Sequence, residues 1–260
     1  MLCRLRDEGL EGRGPWLTLV GGIDDATSHV WARFEEAETT WSYLDLMREI
    51  ALSHGIPLSL YSDRHTIFFS PREPTIEEQL QGKKPLTQFG RALAELGVVE
   101  CIPAYSPQAK GRIERLWGTL QDRLVVELRL AKVKTLIEAN GVLKNLLPDF
   151  NRRFSVPAQQ SQPVFRKRPL LSQLDRILCL KNQRTVSKDH TVSFEGLILQ
   201  IPPSKTFRSI AGQRVEVLQL HGGEIEIVYK DQAVAHFCVE EVMKCLEKNK
   251  GIQTTLKKVV

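Results

Sequence analysis

Two acidic side chains, Asp63 and Glu114, are the residues of this sequence whose type and position best suit chemistry. Asp63 follows an alternation of apolar and polar residues, Ile56 to Ser62, that is typical of a strand. Ligands of open α/β sheets bind at the carboxyl ends of strands, which is where this pattern places Asp63. Glu114 belongs to an amphipathic helix and lies about 80° from the centre of its apolar stripe, at the border between core and solvent. Each residue alone indicates little, because an acidic residue at such a border is usually only solvated.

The residues around Glu114 suit a phosphate backbone. The segment 105–111 is predicted to be a loop, and Trp117, which falls on the apolar stripe of the following helix, is predicted to lie in the core. Polar and cationic side chains at such a place can contact phosphate oxygens, and a tyrosine there can contact a nucleotide. The candidates are Tyr105, Ser106, Gln108, Lys110, Arg112 and Arg115.

The basic charge of the sequence is concentrated in two blocks. The formal net charge is +5, but residues 101–134 carry +4 and residues 151–190 carry +7, so the remainder is acidic. Basic blocks of this kind are typical of a nucleic-acid-binding surface. The competing interpretation is that charged, solvated faces have clustered by chance.

The two acidic segments resemble a known family. SDRHTIF and YSPQAKGRIERLWGTLQDRL are similar to the second-Asp and final-Glu segments of the DDE integrase core, the ribonuclease-H-like catalytic domain of retroviral integrases and many bacterial transposases. The resemblance is closer still to insertion-sequence transposases of the ISNCY group, and it covers roughly residues 8 to 235. The segments that carry it are LEGRGPWLTLVGGIDDATSHV, DRHTIF, PLTQFGRALAELGV and FNRRFSVPA.

This resemblance implies a magnesium-dependent reaction on DNA. Asp63 and Glu114 would be the catalytic and metal-binding residues, with two Mg²⁺ (or Mn²⁺) ions expected in intact relatives. Two such ions about 4 Å apart activate a water or a 3′-hydroxyl and stabilise the leaving oxygen. The expected partners are DNA, as element ends and target, and further copies of the same chain. The expected DNA-binding residues are Tyr105, Gln108, Lys110, Arg112, Arg115, Arg152 and Arg153.

The sequence departs from the family pattern at the first Asp. Alignment of the LEGRGP segment places that Asp near Cys3, and Asp7 falls about four residues too late to replace it. The chain therefore resembles an N-terminally truncated transposase reading frame. We expect it to bind DNA and to be weak or inactive in strand transfer, so its enzyme activity stays open.

The predicted fold class is α/β. The resemblance implies a ribonuclease-H-like mixed sheet with flanking helices, whose first strand is incomplete, followed by a small all-β, SH3-like barrel that helps to hold DNA. The predicted boundaries are a catalytic core over residues 1–150, a basic Pro/Gln-rich linker over 151–172, a DNA-binding barrel over 173–243 and a flexible tail over 244–260.

Local patterns predict the elements that position the two acidic residues. A hairpin is expected from Trp16 to Phe34, and the acidic pair Asp24-Asp25 in its turn is expected to bond its own backbone. The predicted helices run from Thr39 or Thr40 to Ser53, from Pro85 to Gly97, from Ile113 to Leu130 and from Leu136 to Leu147, with a polar loop over 70–84.

Composition and the N-terminal residues argue against a membrane-spanning or secreted protein. No apolar run approaches the length of a membrane span, and the N-terminus is no secretory signal. The five cysteines form no CxxC pair, so we expect reduced thiols in a cytoplasmic protein without structural zinc. The resemblance implies a bacterial, nucleoid-associated protein. Two alternatives stay open: a catalytically inactive, metal-free DNA-binding remnant of a transposase, and a hydrolase of another substrate that uses Asp63, His65 and Glu114. His65 is expected to be a hydrogen-bonding group rather than a metal ligand.

Overall fold

The chain divides into two compact units, Met1–Leu170 and Leu171–Val260. The predicted α/β class is confirmed, because helices and several β-sheets occur together. No helix in the described part of the chain is long and apolar enough to cross a membrane. The structure, a computed structural model, describes residues 2–7, 16–63, 65–82, 84–103, 107–158, 165–203, 207 and 209–242.

The first unit is built on a five-stranded mixed sheet with the order β3-β2-β1-β5-β6. The first three strands are antiparallel neighbours, whereas β1, β5 and β6 run parallel. Leu2–Asp7, where the sequence resemblance expects an incomplete first strand, forms β1 at the centre of the sheet. The strands of this unit are β1 (Leu2–Asp7), β2 (Leu17–Ile23), β3 (Val30–Glu35), β4 (Ile56–Pro57), β5 (Ser59–Ser62), β6 (Glu100–Pro103) and β7 (Phe165–Arg166), of which β4 and β7 form a separate pair.

Five helices accompany this sheet, and local sequence signals set several of their ends. Thr39 caps the first helix as predicted, since its hydroxyl accepts a hydrogen bond from the Ser42 backbone N–H. The chain reverses after this helix at Gly55, whose φ of +105° suits a residue without a Cβ. The helices are α1 (Thr40–Ser53), α2 (Ile76–Leu80), α3 (Gln88–Glu95), α4 (Pro107–Leu130) and α5 (Leu136–Phe154).

Two of the predicted helices and the predicted polar loop differ from the structure in their bounds. The helix expected from Pro85 begins at Gln88, because Thr87 is its N-cap. Leu86 therefore lies before the helix, and it is 60% exposed. The loop expected over 70–84 contains the short helix α2. The last helix continues past Leu147 through Pro148 to Phe154, where the linker was expected, since burial of Phe150 in the core stabilises the extra turns.

The main core of the first unit lies between the β2–β3 hairpin and the two long helices. Trp117, Leu120 and Leu124 are buried on α4, as the i, i+3, i+4 spacing predicted, and Leu128 continues their stripe. The side chains of Ile113 and Leu116, the other predicted members, lie outside the described residues. Asn140 of α5 joins the helices to the sheet, because its amide donates to the Phe34 backbone C=O and accepts from the Phe34 backbone N–H, at 3.0 and 2.8 Å.

The second unit is mostly β-structure around its own core. A four-stranded antiparallel sheet has the order β13-β12-β11-β8, and β9 and β10 form a hairpin. The short helix that opens the unit was not predicted. The elements are α6 (Leu171–Ile177), β8 (Leu180–Thr185), β9 (Thr191–Phe194), β10 (Leu197–Gln200), β11 (Arg214–Gln219), β12 (Ile225–Tyr229) and β13 (Gln232–Phe237).

Two histidines, His29 and His54, connect the hairpin turn of the first unit to its helices through ring and hydrogen-bond contacts. The rings of His29 and His54 lie 4.6 Å apart between centroids, and each also packs against Trp31. His29 Nε2 contacts the Asn151 amide of α5 at 3.2 Å, and His54 Nδ1 contacts the Ser53 hydroxyl at 2.9 Å. Burial lowers the pKa of both histidines below 6.5; for His29 the neighbouring His54 lowers it further, whereas Asp24 opposes the shift at both rings.

We expect acid to destabilise the protein through this pair. A histidine whose pKa is lowered by folding binds its proton more readily when unfolded, so the free energy of unfolding is highest above pH 6.5 and decreases as pH falls below it. The double variant His29→Gln/His54→Gln should therefore have a flatter dependence of Tm on pH in that range. His65→Gln, which removes an exposed histidine from the same unit, is the control, and equal slopes for all three proteins would contradict the assignment.

Candidate active site

Asp63 lies directly after the last residue of β5, as the alternation before it predicted. The residue is half-buried, and its Oδ1 accepts a hydrogen bond from the backbone N–H of His65 at 3.3 Å. His65 in turn uses Nδ1 to accept from the Ile67 backbone N–H at 3.3 Å. These bonds fix a tight turn at the strand end, and they give His65 the hydrogen-bonding role that its sequence context predicted.

Glu114 is exposed on α4, one turn before the buried Trp117. The helix begins earlier than expected, at Pro107, because proline is well tolerated at the first position of a helix. Most of the predicted loop is therefore the first two turns of α4. The carboxylate is exposed beside the packed side of the helix, at the border that its spacing from the apolar stripe predicted.

Strand register connects the positions of the two acidic residues. Ser62, the residue before Asp63, pairs with Leu2 of β1. Cys3, the next residue of β1, pairs with Gly21 of β2. Trp117 packs on Gly21 so closely that a Cβ there would meet its ring carbon Cη2 at 2.2 Å. The strand end that carries Asp63 thus adjoins Leu2, and the turn of α4 after Glu114 packs on the pairing partner of Cys3.

The parallel pairing of β1 with β5 is described for one pair, Leu2 with Ser62. Cys3 directly follows Leu2, and Asp63 directly follows Ser62. Asp7 is the last residue of β1 and pairs with Leu17, five residues along the strand from Leu2. Among the side chains that the structure describes, no cluster of three or more His, Cys, Asp and Glu residues could hold a metal ion.

The acidic pair in the hairpin turn has a structural role at Asp24. Its Oδ1 accepts from the Ala26 backbone N–H at 3.3 Å, and its Oδ2 accepts from the Thr27 hydroxyl at 2.5 Å. The backbone C=O of Asp24 also accepts from the Ser28 N–H at 2.8 Å. The carboxylate is therefore engaged in the turn, as composition predicted.

Only some of the predicted DNA-binding residues can be placed. Tyr105 lies outside the described residues, as do the side chains of Gln108, Lys110 and Arg112, whose backbones belong to α4. Arg115 is exposed one residue after Glu114, and its Nε donates to the Gly111 backbone C=O at 3.0 Å. This bond holds the guanidinium along the helix, towards its N-terminal turns.

Arg152 and Arg153 are placed differently from the prediction. Both lie in the last turns of α5 rather than in a linker, and both pair with Asp149, at 2.5 and 2.8 Å. Hydrogen bonds from these arginines, first of all from Arg152, lower the pKa of the Asp149 carboxyl. The side chains are 76% and 55% exposed, so they remain accessible to an anion that competes with Asp149.

The fold and the site define an α/β protein with acidic side chains at a strand end and on the adjoining helix. No family model matches the chain. It is 33% identical over 246 residues to a protein of Sinorhizobium fredii named as a transposase, covering 89% of this chain and 52% of that protein. It is 32% identical over 212 residues to the transposase for insertion sequence IS1202 of Streptococcus pneumoniae, covering 81% of this chain and 44% of that protein.

These similarities support the transposase part of the sequence prediction. The chain spans about half the length of the curated relatives that it matches. The two relatives come from different organisms, and both are named as transposases. The matched segments cover most of this chain.

We expect Gly21→Ala to destabilise the protein strongly. The added Cβ would lie 2.2 Å from Trp117 Cη2 and 2.6 Å from the Trp31 backbone oxygen, so the helix that carries Glu114 would have to shift. Overpacking of this kind costs about 1–3 kcal/mol, and chemical denaturation measures it. Gly118→Ala is the matched control: it meets no atom within 4 Å and removes a helical glycine, so it should stabilise by about 0.5–1 kcal/mol. A Gly21→Ala variant with an unchanged free energy of unfolding would disprove the close packing of α4 on β2.

Proposed function

We propose that this chain is the core of a DDE-type transposase that binds DNA. In its intact relatives, such a core catalyses magnesium-dependent cleavage and transfer of DNA strands. The observation that carries the proposal is the connection of Asp63 and Glu114 through the pairs Leu2–Ser62 and Cys3–Gly21 and the Gly21–Trp117 contact. The two transposase relatives support the same class of reaction.

The sheet supports a ribonuclease-H-like core. Three antiparallel strands followed by two parallel ones, in the order β3-β2-β1-β5-β6, agree with the arrangement that the sequence resemblance implies. The second unit, with its antiparallel sheet and hairpin, supports an SH3-like module that helps to hold DNA. Multimerisation of the chain belongs to this proposal through the resemblance alone.

Asp63 and Glu114 are suitable ligands for Mg²⁺ or Mn²⁺. Both offer carboxylate oxygens, the ligands that hard divalent cations prefer, and Asp63 leaves Oδ2 available because its described hydrogen bond uses Oδ1. Bound divalent cations would activate the attacking hydroxyl and stabilise the leaving oxygen. The exposed carboxylate of Glu114 can reach a cation that DNA brings from solvent, whereas Asp63 is held by its turn.

Cationic side chains close to these acidic residues are proposed to hold the DNA backbone. Arg115 follows Glu114 directly, and Gln108, Lys110 and Arg112 occupy the first turns of the same helix. A helix N-terminus adds a favourable partial positive charge for phosphates. Arg152 and Arg153 would contribute a second contact, in which a phosphate competes with Asp149.

A second candidate, an inactive DNA-binding remnant, is favoured by Cys3. A cysteine thiol is mostly neutral at pH 7 and offers no hard oxygen ligand, so it is a poor substitute for the first Asp. Cys3 directly follows Leu2, whose pairing partner Ser62 precedes Asp63, and the sequence resemblance has an acidic residue near position 3. The two candidates share DNA binding and differ in whether strand cleavage persists.

We expect plasmid nicking by the purified protein to be weak in Mg²⁺ or Mn²⁺, and Cys3→Asp to raise its rate. A third carboxylate should help to hold the cations, and a gain of about tenfold would correspond to about 1.4 kcal/mol of transition-state stabilisation. The control is Cys3→Asp combined with Asp63→Asn, which should remove the gain. Strong nicking without Cys3→Asp that Asp63→Asn abolishes would refute the inactive candidate, and no divalent-dependent nicking in any variant would refute the catalytic one.

DNA binding should weaken as salt increases, and it should persist in EDTA. Each phosphate contact releases counterions, so Arg115→Ala should reduce the slope of log K against log salt by about one unit. Arg91→Ala is the comparison, because Arg91 pairs with Glu95 at 3.0 Å on another helix and should leave the slope unchanged. Fluorescence anisotropy with a short duplex measures both, and binding that ignores salt would count against a DNA partner.

A further inference from the structure

The last helix of the first unit, α5, is attached to the outer edge of β3 by two asparagines that make the same pair of bonds. The side-chain amide of Asn140 accepts from the Phe34 backbone N–H at 2.8 Å and donates to the Phe34 C=O at 3.0 Å. The amide of Asn151 accepts from the Val30 backbone N–H and donates to the Val30 C=O, both at 2.9 Å. We call these contacts the Phe34 clamp and the Val30 clamp.

The spacing of the two clamps lets one straight helix close both. Asn140 and Asn151 are 11 residues apart, which is about 20° more than three helical turns, so both lie on one side of α5. The helix rises about 16 Å between them, and β3 covers about 13 Å from Val30 to Phe34. Because the residue order is reversed, α5 runs antiparallel to β3 along this edge.

Among the contacts that the structure describes, only the Val30 clamp includes a titratable side chain. His29 Nε2 lies 3.2 Å from Nδ2, the side-chain nitrogen of Asn151. The bonds to Val30 fix which way this amide faces, because its oxygen receives the N–H and its nitrogen donates to the C=O. Since Nδ2 can only donate, His29 Nε2 must accept, and the ring is neutral with its proton on Nδ1.

The surroundings of His29 hold the ring in this contact. Its backbone C=O accepts from the Asp24 N–H at 2.8 Å, and its ring packs against Trp31 and His54, each at 4.6 Å between centroids. The titratable groups that act on it are His54 at the end of α1 and Asp24 in the hairpin turn. Burial and then His54 lower the pKa of His29 and Asp24 opposes the shift, so the neutral ring prevails at neutral pH.

We propose that His29 is a proton-operated release for the Val30 clamp, whereas the Phe34 clamp does not respond to protons. A protonated ring carries an N–H at Nε2, which would face an amide nitrogen that has no acceptor to offer. The amide of Asn151 cannot turn over without losing both of its bonds to Val30. Protonation must therefore separate His29 from Asn151 or break the clamp, and either change weakens the attachment of α5 to the hairpin.

The release would act on the last turns of α5. The Val156 N–H donates to the Thr27 C=O at 2.8 Å, so the residues after the helix are attached to the same hairpin turn that carries His29. Arg152 and Arg153 directly follow Asn151, and the loosened segment would include them. The Phe34 clamp would keep the earlier turns in place. The release depends only on contacts inside the first unit, and it does not require that the protein bind DNA.

Amide hydrogen exchange of the full chain, followed by NMR at about pH 7.5 and about pH 5, tests this release. The compared quantity is the ratio of the protection factors of the Val30 and Phe34 N–H groups, so the Phe34 clamp is an internal control. We expect the ratio to fall at the lower pH, by up to about tenfold for each unit by which the clamp lowers the pKa of His29. Parallel changes at Val30 and Phe34 would overturn the proposal.

The matched variants separate His29 from its neighbour. In His29→Gln a side-chain oxygen can still accept from Asn151 and does not titrate, so the ratio should be the same at both pH values. In His54→Gln the ratio should still fall. An equal fall in His29→Gln would overturn the proposal, as would a constant ratio in His54→Gln.

The tautomer of His29 gives a second test that needs no variant. The ring ¹⁵N chemical shifts of the unmodified protein at about pH 7.5 should show the proton on Nδ1 and a bare Nε2. A neutral ring with its proton on Nε2 could not accept from Asn151, and this result would overturn the release even if the variants failed to fold.

Discussion

The structure of the first unit depends on the close contact between Trp117 and Gly21. The indole ring, 2% exposed, lies where any side chain on residue 21 would have to be. Its Nε1 is buried without a hydrogen-bond partner among the described atoms, so packing and not polar pairing holds the ring. Loss of a buried tryptophan costs about 3–5 kcal/mol. This contact seats α4 against β2 at the level of Cys3, and it thereby sets where the turn with Glu114 lies relative to β1.

Periodic patterns and capping signals were enough to predict much of the frame around the site. The β2–β3 hairpin, the cap at Thr39, the reversal at Gly55 and the buried stripe of α4 each follow from interactions between residues close in sequence. Asp63 was placed at a strand end for the same reason, since the alternation before it is local. The predicted turn role of Asp24 depends on bonds to residues two to four positions away.

Features that depend on distant residues were not predictable in the same way. The extension of α5 through Pro148 depends on the burial of Phe150 among residues of the hairpin and α4, and a local pattern carries no such information. The pairing of Arg152 and Arg153 with Asp149 follows from that extra helix, because three- and four-residue spacings meet only on a helix. The contact between His29 and His54 joins a strand to a helix end, and no motif in the sequence marks it.

The charge at the site bears on how many cations this chain could hold. Under the proposed function, Asp63 and Glu114 would be the two carboxylate ligands, and a cysteine at position 3 is a poor ligand for Mg²⁺ compared with a third carboxylate. A second ion would then depend on the phosphates of bound DNA for further ligands. Cation binding would then depend on DNA, whereas DNA binding through exposed arginines such as Arg115 would not depend on the cation. Under the proposed function, a site with two carboxylates would separate DNA binding from cation-dependent cleavage, and DNA binding would survive the loss of a third carboxylate more easily than cleavage would.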